Sequence, residues 1–292
     1  MLLNGLFYVA DRAAQASGEA LARQHREALI LGALREDVIA LPTGQFSEYP
    51  SFRHFGGRGL PGGYLPLLWP GPRWTAGRFY QRALGLGQAG QTAAAFVQLG
   101  RLTHLLADMS IPSHVHRAAH DRDPFEWYVE GNLRELGEAP GPVSPQIAAL
   151  TGPEQLIASL ARHAARHAPD RTNTPGGRLL RRLGLVRPVS AALAREQAAE
   201  LLPLAVAHAA ALLRLPRTKG GAWYTSPVSD GDDVLQETLD ALEIPRKGLG
   251  AWFAHNRAFC MKHGGKRIYG ELIDLMDRCD EALARKPPGG GR

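Results

Sequence analysis

Residues 89–109, AGQTAAAFVQLGRLTHLLADM, form the stretch that decides the fold. Alanine, leucine and glutamine favour helix, and Arg101 and Asp108 are the only formally charged residues in the run. A helix that is apolar on nearly every side belongs in the middle of a helical bundle. Pro112 follows three residues after the run and ends the helix soon after its last turn. The stretch therefore predicts a buried central helix.

The sequence on either side of this helix predicts further helices and no convincing strand. Asp123 and Pro124 open one of them, because aspartate is a good N-cap and proline fits the first helical turn. A loop rich in glycine and proline covers about residues 42–72, and loops of that length are usually functional or disordered. The expected fold class is all-α, a multi-helix bundle. The other helices are predicted at about residues 13–34, 74–86, 154–167, 191–215, 233–243, 248–263 and 267–285.

Composition sets the limits on domain number and function class. A chain of 292 residues allows one large domain or two small ones, and 45% hydrophobic residues exclude wholesale disorder. Two cysteines exclude a disulfide scaffold, and the net charge of +6 is a mild bias toward anionic partners. Glycines at 220–221 and the run DGDD at 230–233 predict a boundary between a helical domain, 1–215, and a helical C-terminal extension of unknown role, 216–292.

The first residues of the chain bear on its cellular compartment. Residues 1–10 are apolar but short, and no basic region precedes them. They make a poor signal peptide, so a cytoplasmic location is the default expectation.

A histidine cluster is the first place to look for chemistry. Four of the 11 histidines, His104, His114, His116 and His120, fall within 17 residues. His104 and Asp108 are four residues apart on the predicted central helix, so both side chains can reach one ion. Imidazole nitrogen and carboxylate oxygen suit zinc. A structural hydrogen bond between His104 and Asp108 is the simpler alternative, but the further histidines and acidic residues nearby favour a metal site.

Other polar residues near the cluster also have structural interpretations. Glu126 lies three residues after Asp123, which is the spacing of a capping box, although a capping Asp123 and a metal-binding Glu126 can share one helix start. His116 is expected around the site or in solvent, and Asp121 on the surface. His208, in an apolar helix, is expected to be a core histidine.

The pattern His104-Leu-Leu-Ala-Asp108 followed by Pro112-Ser-His114 resembles the His-x-x-x-Asp…Pro-x-His signature of the zinc-dependent phospholipase C family. The single-strand-specific zinc nucleases belong to the same superfamily. The resemblance covers roughly residues 20–215 and implies an all-α bundle, up to three zinc ions in a cleft, and hydrolysis of phosphodiesters. The chain departs from the family before Glu126, where either His120 or Asp123 would replace the family's histidine.

The resemblance also implies a role for two upstream positions. His54, in a His-Phe pair, and Asp37, with Glu36 as the alternative, would join His104 and Asp108 around one ion. Asp37 or Glu36 is also the expected catalytic base that takes a proton from the attacking water. The implied metal ligands are Asp37, His54, His104, Asp108, His114, His120, Asp123 and Glu126.

The number of ions follows from the same resemblance. The family's third zinc uses the amine and carbonyl of an N-terminal tryptophan together with an early histidine. This chain has Met1 and His25 instead, and charged neighbours lead us to expect His25 in solvent. Two zinc ions are therefore expected, or three if the last position is filled differently.

The expected substrate is a phospholipid rather than a nucleic acid, because the spacing from His114 to Glu126 is compact, as in the bacterial phospholipases. Transient contact with a membrane surface follows from that substrate. A single-strand nuclease is the alternative, in which Tyr64, Trp69 or Trp74 would stack on a base. A non-catalytic helical interaction protein stabilised by zinc is a second alternative. The sequence predicts no oligomeric state.

Overall fold

The computed structural model describes residues 1–40, 46–48, 55–56, 70–118, 123–136, 143–172, 174–219, 224 and 231–285. Within these residues the fold is all-α with one short two-stranded ribbon, which confirms the predicted fold class. In chain order the helices are α1 (Leu3–Ala16), α2 (Ala20–Gln24), α3 (Arg26–Arg35), α4 (Pro72–Gln88), α5 (Thr92–Met109), α6 (Pro112–Val115), α7 (Pro124–Leu136), α8 (Pro145–Ala148), α9 (Pro153–Ala164), α10 (Pro175–Arg182), α11 (Ala191–Lys219), α12 (Gly231–Ala241), α13 (Arg246–His263) and α14 (Gly265–Ala284).

Helix α5 is the central helix that the sequence predicts. It packs against α1, α3, α4, α9, α11 and α12, and nearly all of its residues are buried. Its closest neighbour is α3, and two glycines allow the approach. A Cβ atom on Gly32 would lie 2.2 Å from the carbonyl oxygen of Val97, and one on Gly100 would lie 2.2 Å from that of Leu29. The two backbones therefore touch where any larger residue would separate them.

The first predicted helix, 13–34, is in fact three helices. Helix α1 begins ten residues earlier than predicted, at Leu3. Gly18, with φ +74°, interrupts the helical conformation between α1 and α2. His25 separates α2 from α3 and stacks on Phe96 with ring centroids 5.0 Å apart. Only 3% of His25 is exposed, so the expectation that it lies in solvent was wrong. Burial lowers the pKa of His25 to about 4.

The two strands, β1 (Val38–Ala40) and β2 (Phe46–Glu48), were not predicted. They pair antiparallel, with Val38 opposite Glu48 and Ala40 opposite Phe46. Three residues are too few for an alternating hydrophobic pattern to stand out in a sequence. Glu36 and Asp37 lie between the end of α3 and the start of β1.

The C-terminal helices pack on the rest of the bundle. Helix α12 contacts α3 and α5, and α14 contacts α1. Trp252 and Phe253 of α13 are buried and stack with ring centroids 5.2 Å apart. Their side chains belong to the same hydrophobic cluster as the core of α5. The described residues of 216–292 therefore share a core with the helices before them.

Helix α11 contains the one segment among the described residues that is long and apolar enough to cross a membrane, Ala191–Arg217. Seventy-two per cent of its apolar window is buried inside the bundle, which is typical of the core helix of a globular protein. His208 of this helix is fully buried and its Nδ1 donates to the Leu204 carbonyl oxygen at 2.7 Å. The predicted core histidine is thus confirmed.

Candidate functional site

His104 and Asp108 lie on the buried face of α5, four residues apart as the sequence indicates. Nδ1 of His104 is 2.7 Å from the carbonyl oxygen of Ala33 in α3. A carbonyl oxygen can only accept, so Nδ1 carries the hydrogen and the ring's other nitrogen is left for the site. That nitrogen, Nε2, lies 3.1 Å from Oδ2 of Asp108. The close crossing of α3 and α5 therefore sets both the position and the tautomer of His104.

Asp37 and Glu36, just past the end of α3, point to different partners. Oδ2 of Asp37 is 3.5 Å from Nε2 of His104, and 41% of its side chain is exposed. Glu36 is buried and accepts a hydrogen bond of 2.6 Å from Nε of Arg101. The structure thus brings Asp37 to the histidine cluster and ties Glu36 to an arginine. Of the two candidates for the catalytic base, the geometry favours Asp37.

His114 joins the site from the short helix α6, which begins at Pro112. Nδ1 of His114 is 3.7 Å from Oδ2 of Asp108. Phe55 stacks on the His114 ring, with centroids 4.7 Å apart and nearly parallel planes. The amide of Gly56 also donates to the His114 carbonyl oxygen at 3.0 Å. The loop residues 55–56 therefore hold His114 in place beside Asp108.

The α-amine of Met1 lies in the middle of this cluster. It is 2.6 Å from Oδ1 of Asp108 and 2.8 Å from Oε1 of Glu126, and it is fully buried. Burial alone would lower its pKa. The carboxylates of Asp108, Glu126 and Asp37 outweigh burial and raise the pKa of the amine to about 11. The amine is therefore an ammonium ion that balances buried carboxylates.

Asp108 responds to the same contacts in the opposite sense. Burial would raise its pKa, but the Met1 ammonium, His104 and His114 together hold that pKa well below its usual range. Asp108 is thus a charged carboxylate in the core. A buried charge of this kind is stable only while its partners stay in place.

Glu126 and Asp123 lie at the start of α7 and have separate tasks. Oδ1 of Asp123 accepts from the amides of Phe125 (2.9 Å) and Glu126 (3.3 Å), and Oδ2 accepts from the hydroxyl of Ser113. Both oxygens of Asp123 are therefore engaged, so we assign it to the helix cap. Glu126 instead faces the Met1 ammonium. The predicted cap at Asp123 is therefore confirmed, and the role of Glu126 as a metal ligand stays a prediction.

Glu130 is a residue whose role the sequence did not reveal. Its carboxylate accepts from the amide of Asn4 at 2.9 and 3.1 Å and from that of Gly5 at 3.2 Å, which caps the N-terminus of α1. Burial outweighs these bonds and a hydrogen bond with Tyr269, and raises the pKa of Glu130 to about 7. Glu130 thereby holds α1 so that Met1 reaches the site. The indication in the sequence was that Glu130 lies four residues after Glu126, about one helical turn further along the same helix.

Two of the predicted ligands, His54 and His120, lie outside the described residues, as does Asp121. His116 is part-buried, and its Nε2 is 3.1 Å from the carbonyl oxygen of His167. That contact places His116 beside the site rather than on the carboxylates. The structure brings together the following predicted residues: Asp37, His104, Asp108, His114 and Glu126.

The donors suit a metal ion in chemistry, although they are not arranged around one. In the described part of the chain no group of three or more histidine, cysteine, aspartate or glutamate side chains is positioned to hold a metal ion. Instead the Met1 ammonium lies between two of the carboxylates. Three carboxylates, those of Asp37, Asp108 and Glu126, and two imidazole rings surround the single Met1 ammonium. Mixed nitrogen and oxygen donors of this kind suit a divalent cation such as zinc.

Comparison with known proteins gives no further guide to this site. No family model matches the chain, and no curated protein matches it either. The site is therefore interpreted from its own geometry.

Proposed function

We propose that this protein is a zinc-dependent hydrolase of phosphodiesters, similar to the phospholipases C. The observation that carries the proposal is the cluster of three carboxylates and two histidines around the Met1 ammonium, assembled from α5, α6, α7 and the end of α3. Buried carboxylates cost stability unless cations balance them, and a bound zinc ion would supply further positive charge.

The described residues that would hold zinc are His104, Asp108, His114 and Glu126, with Asp37 at the exposed edge. His54 and His120 complete the proposed set from outside the described residues. When bound, zinc lowers the pKa of a coordinated water toward 7 and neutralises phosphate charge.

The protein side chains then have distinct tasks. Asp37 is the most exposed carboxylate of the cluster and accepts the proton of the attacking water, as a general base. The Ala33 carbonyl oxygen keeps His104 in one tautomer, so its Nε2 stays directed at Asp108 and Asp37. Phe55 covers one face of His114 and limits the movement of that ring.

We favour a phospholipid as the substrate, with a single-stranded nucleic acid as the second candidate. One observation speaks for the second candidate. Trp74 of α4 is 54% exposed, and the guanidinium of Arg78 lies 4.7 Å from its ring centroid. Exposed aromatic and arginine side chains of this kind can stack on bases. Tyr64 and Trp69, the other predicted stacking residues, lie outside the described residues.

The test compares Asp37→Asn with Glu36→Gln in the full chain. Zinc content is measured together with hydrolysis of bis-p-nitrophenyl phosphate. Asp37→Asn should lower the rate by about 10²–10⁴-fold, which is the usual contribution of a general base. Glu36→Gln should keep both zinc and activity, because its partner is Arg101. His104→Gln should lose zinc and activity together.

Two results would contradict the proposal or part of it. A wild-type protein that neither binds zinc on reconstitution nor turns over the phosphodiester is not a metal-dependent hydrolase of this kind. Loss of activity in Glu36→Gln but not in Asp37→Asn would move the base to Glu36. Hydrolysis of phosphatidylcholine vesicles and of single-stranded DNA, measured side by side, then separates the two substrate classes.

A further inference from the structure

Helix α10 and the turn after it, residues 174–187, expose an unusual set of side chains. We call these residues the leucine–arginine segment. Leucines in a globular protein are commonly buried, but four of the leucines here are largely in solvent. Leu179 is 60% exposed, Leu180 40%, Leu183 62% and Leu185 69%.

The helix separates its apolar and basic residues onto opposite faces. At about 100° of rotation per residue, Leu179, Leu180 and Leu183 share one face of α10. The arginines Arg178, Arg181 and Arg182 lie on the other face and are exposed. A surface helix normally turns its apolar face to the core. In α10 both faces are open to solvent.

The surrounding sequence carries the whole excess charge of the protein. Residues 171–195 contain six arginines and no aspartate, glutamate or lysine. Since the chain has 34 basic and 28 acidic residues, the rest of it has 28 of each and is neutral. The excess positive charge is therefore concentrated around the exposed leucines. The six arginines are Arg171, Arg178, Arg181, Arg182, Arg187 and Arg195.

Local interactions cap α10 at both ends. The hydroxyl of Thr174 accepts from the amide of Gly177 at 2.9 Å, as an N-cap does. At the other end Gly184 has φ +71°, and its amide donates to the Arg181 carbonyl oxygen at 3.0 Å. The amide of Leu185 donates to the Leu180 carbonyl oxygen at 2.9 Å. These are the two bonds of a Schellman motif. The caps at both ends therefore stabilise α10 although its apolar face is not buried.

The base of this segment lies near the candidate functional site. The carboxylate of Asp170 accepts from the amides of Thr172 at 2.7 Å and Val189 at 2.9 Å. Asp170 and Val189 line one small cavity together with Ser113 and Asp123. Ser113 and Asp123 are neighbours of His114 and Glu126 in the chain. The leucine–arginine segment therefore projects from the end of the bundle that carries the carboxylate cluster.

We propose that the leucine–arginine segment docks this protein onto an anionic lipid surface. Leucines on one face and arginines on the other are the composition of helices that lie in a membrane interface. The arginines pair with anionic headgroups, and the leucines enter the boundary of the acyl chains. A nucleic acid would be expected to meet stacking aromatic residues instead, and the segment has none. The inference stands apart from the proposed function, because docking is measured without turnover.

The experiment measures co-sedimentation of the full chain with vesicles of phosphatidylcholine, with and without phosphatidylglycerol. Wild type should bind the anionic vesicles, and more weakly at high salt, because salt screens exposed charges. Leu179→Gln/Leu183→Gln should weaken binding on the order of tenfold or more. Arg178→Gln/Arg181→Gln/Arg182→Gln should do the same, since each basic residue near such a surface contributes roughly fivefold.

A matched control removes three exposed cations elsewhere. Arg23→Gln/Lys247→Gln/Lys262→Gln lowers the net charge by the same amount and should bind as wild type does. Circular dichroism and the melting temperature should be unchanged in every variant, because all the substituted side chains are exposed. Loss of binding in both segment variants with retention in the control supports the proposal.

The other outcomes overturn it. Wild type that fails to sediment with anionic vesicles has no such surface. Loss of binding in the arginine variant alone, with a matching loss of affinity for a single-stranded oligonucleotide, makes the segment a general polyanion contact. A dimer seen by light scattering, absent in the leucine variant and with no vesicle binding, makes it an interface between two copies of the chain.

Discussion

Helices α5 and α10 both reverse the usual distribution of side chains, in opposite directions. Helix α5 places a histidine and an aspartate in the core, where His104 and Asp108 are fully buried. Helix α10 places leucines in water. Helix α9, earlier in the chain than α10, keeps the ordinary arrangement, with Leu156, Ile157 and Leu160 buried. The ordinary helix contributes to stability, whereas each reversed helix lies where we propose a function.

The two reversals differ in what maintains them. The buried charges of α5 depend on partners from α3, α7 and the Met1 amine, so the site is a cooperative product of the whole bundle. The exposed leucines of α10 lie on a short helix that is held by the local caps at its ends and by the bonds of Asp170 to Thr172 and Val189. Substitutions should therefore affect the stability of the fold strongly at α5 and hardly at all at α10.

The largest effect is expected at Asp108. Asp108→Asn removes a buried charge and leaves the Met1 ammonium with a poorer partner. Removal of one member of a buried ion pair costs about 3–5 kcal/mol. Urea unfolding followed by circular dichroism measures the change. Asp274→Asn is the control, because its pair with Lys266 (3.6 Å) is exposed and should contribute less than about 1 kcal/mol. Equal stability of the two variants would refute the account of α5.

A pair of leucine substitutions tests the contrast between α9 and α10 directly. Leu160→Ala creates a cavity in the core and should lower the free energy of unfolding by about 2–5 kcal/mol. Leu183→Ala removes the same atoms from an exposed position and should change it by less than about 0.5 kcal/mol. The same urea titrations measure both. A large loss in Leu183→Ala would mean that α10 packs on the core after all.

His208 sharpens the comparison, because it is a buried histidine far along the chain from the site. Burial lowers its pKa to about 4, so the folded state holds it neutral while the unfolded state protonates near pH 6.5. The contribution of His208 to the free energy of unfolding is therefore fully present above the pKa that this residue has in the unfolded chain. It is lost as the pH falls toward 4. Between pH 7 and pH 5 the loss should be about 2 kcal/mol.

His208→Gln should remove that part of the pH dependence and leave the remainder, to which His25 contributes in the same direction. Urea midpoints measured across this pH range for wild type and variant give the difference. Identical pH profiles would mean that His208 is protonated, or exposed, in the folded protein.

Sequence patterns predicted the parts of the fold that depend on local hydrophobic spacing. The central helix and the three C-terminal helices lie close to their predicted bounds, and a helix does begin at Pro124, directly after Asp123. The pairing of His104 with Asp108 also followed from their spacing of four residues. Each of these features depends on the residues of a single helix and not on contacts between helices.

The remaining features depend on contacts between distant residues. His25 was expected in solvent because its neighbours in the chain are charged, but a break between two helices turns it onto Phe96. The Met1 amine contacts Asp108, more than 100 residues away in the chain, and Glu130 of α7 binds the first amides of α1 beside it. Helix α10 was not among the predicted helices. Its caps, Thr174 and Gly184, were the available signals.

The hydrogen bonds of Asp170 make the leucine–arginine segment modular. The carboxylate of Asp170 accepts hydrogen bonds from the amides of Thr172 and Val189. The residues on either side of the leucine–arginine segment therefore already lie side by side. A short connection can close such a gap at little entropic cost. We therefore expect that a short connection can replace the leucine–arginine segment and leave the bundle folded. The segment would then be a self-contained insert that could also be grafted between two adjacent helix ends of another scaffold.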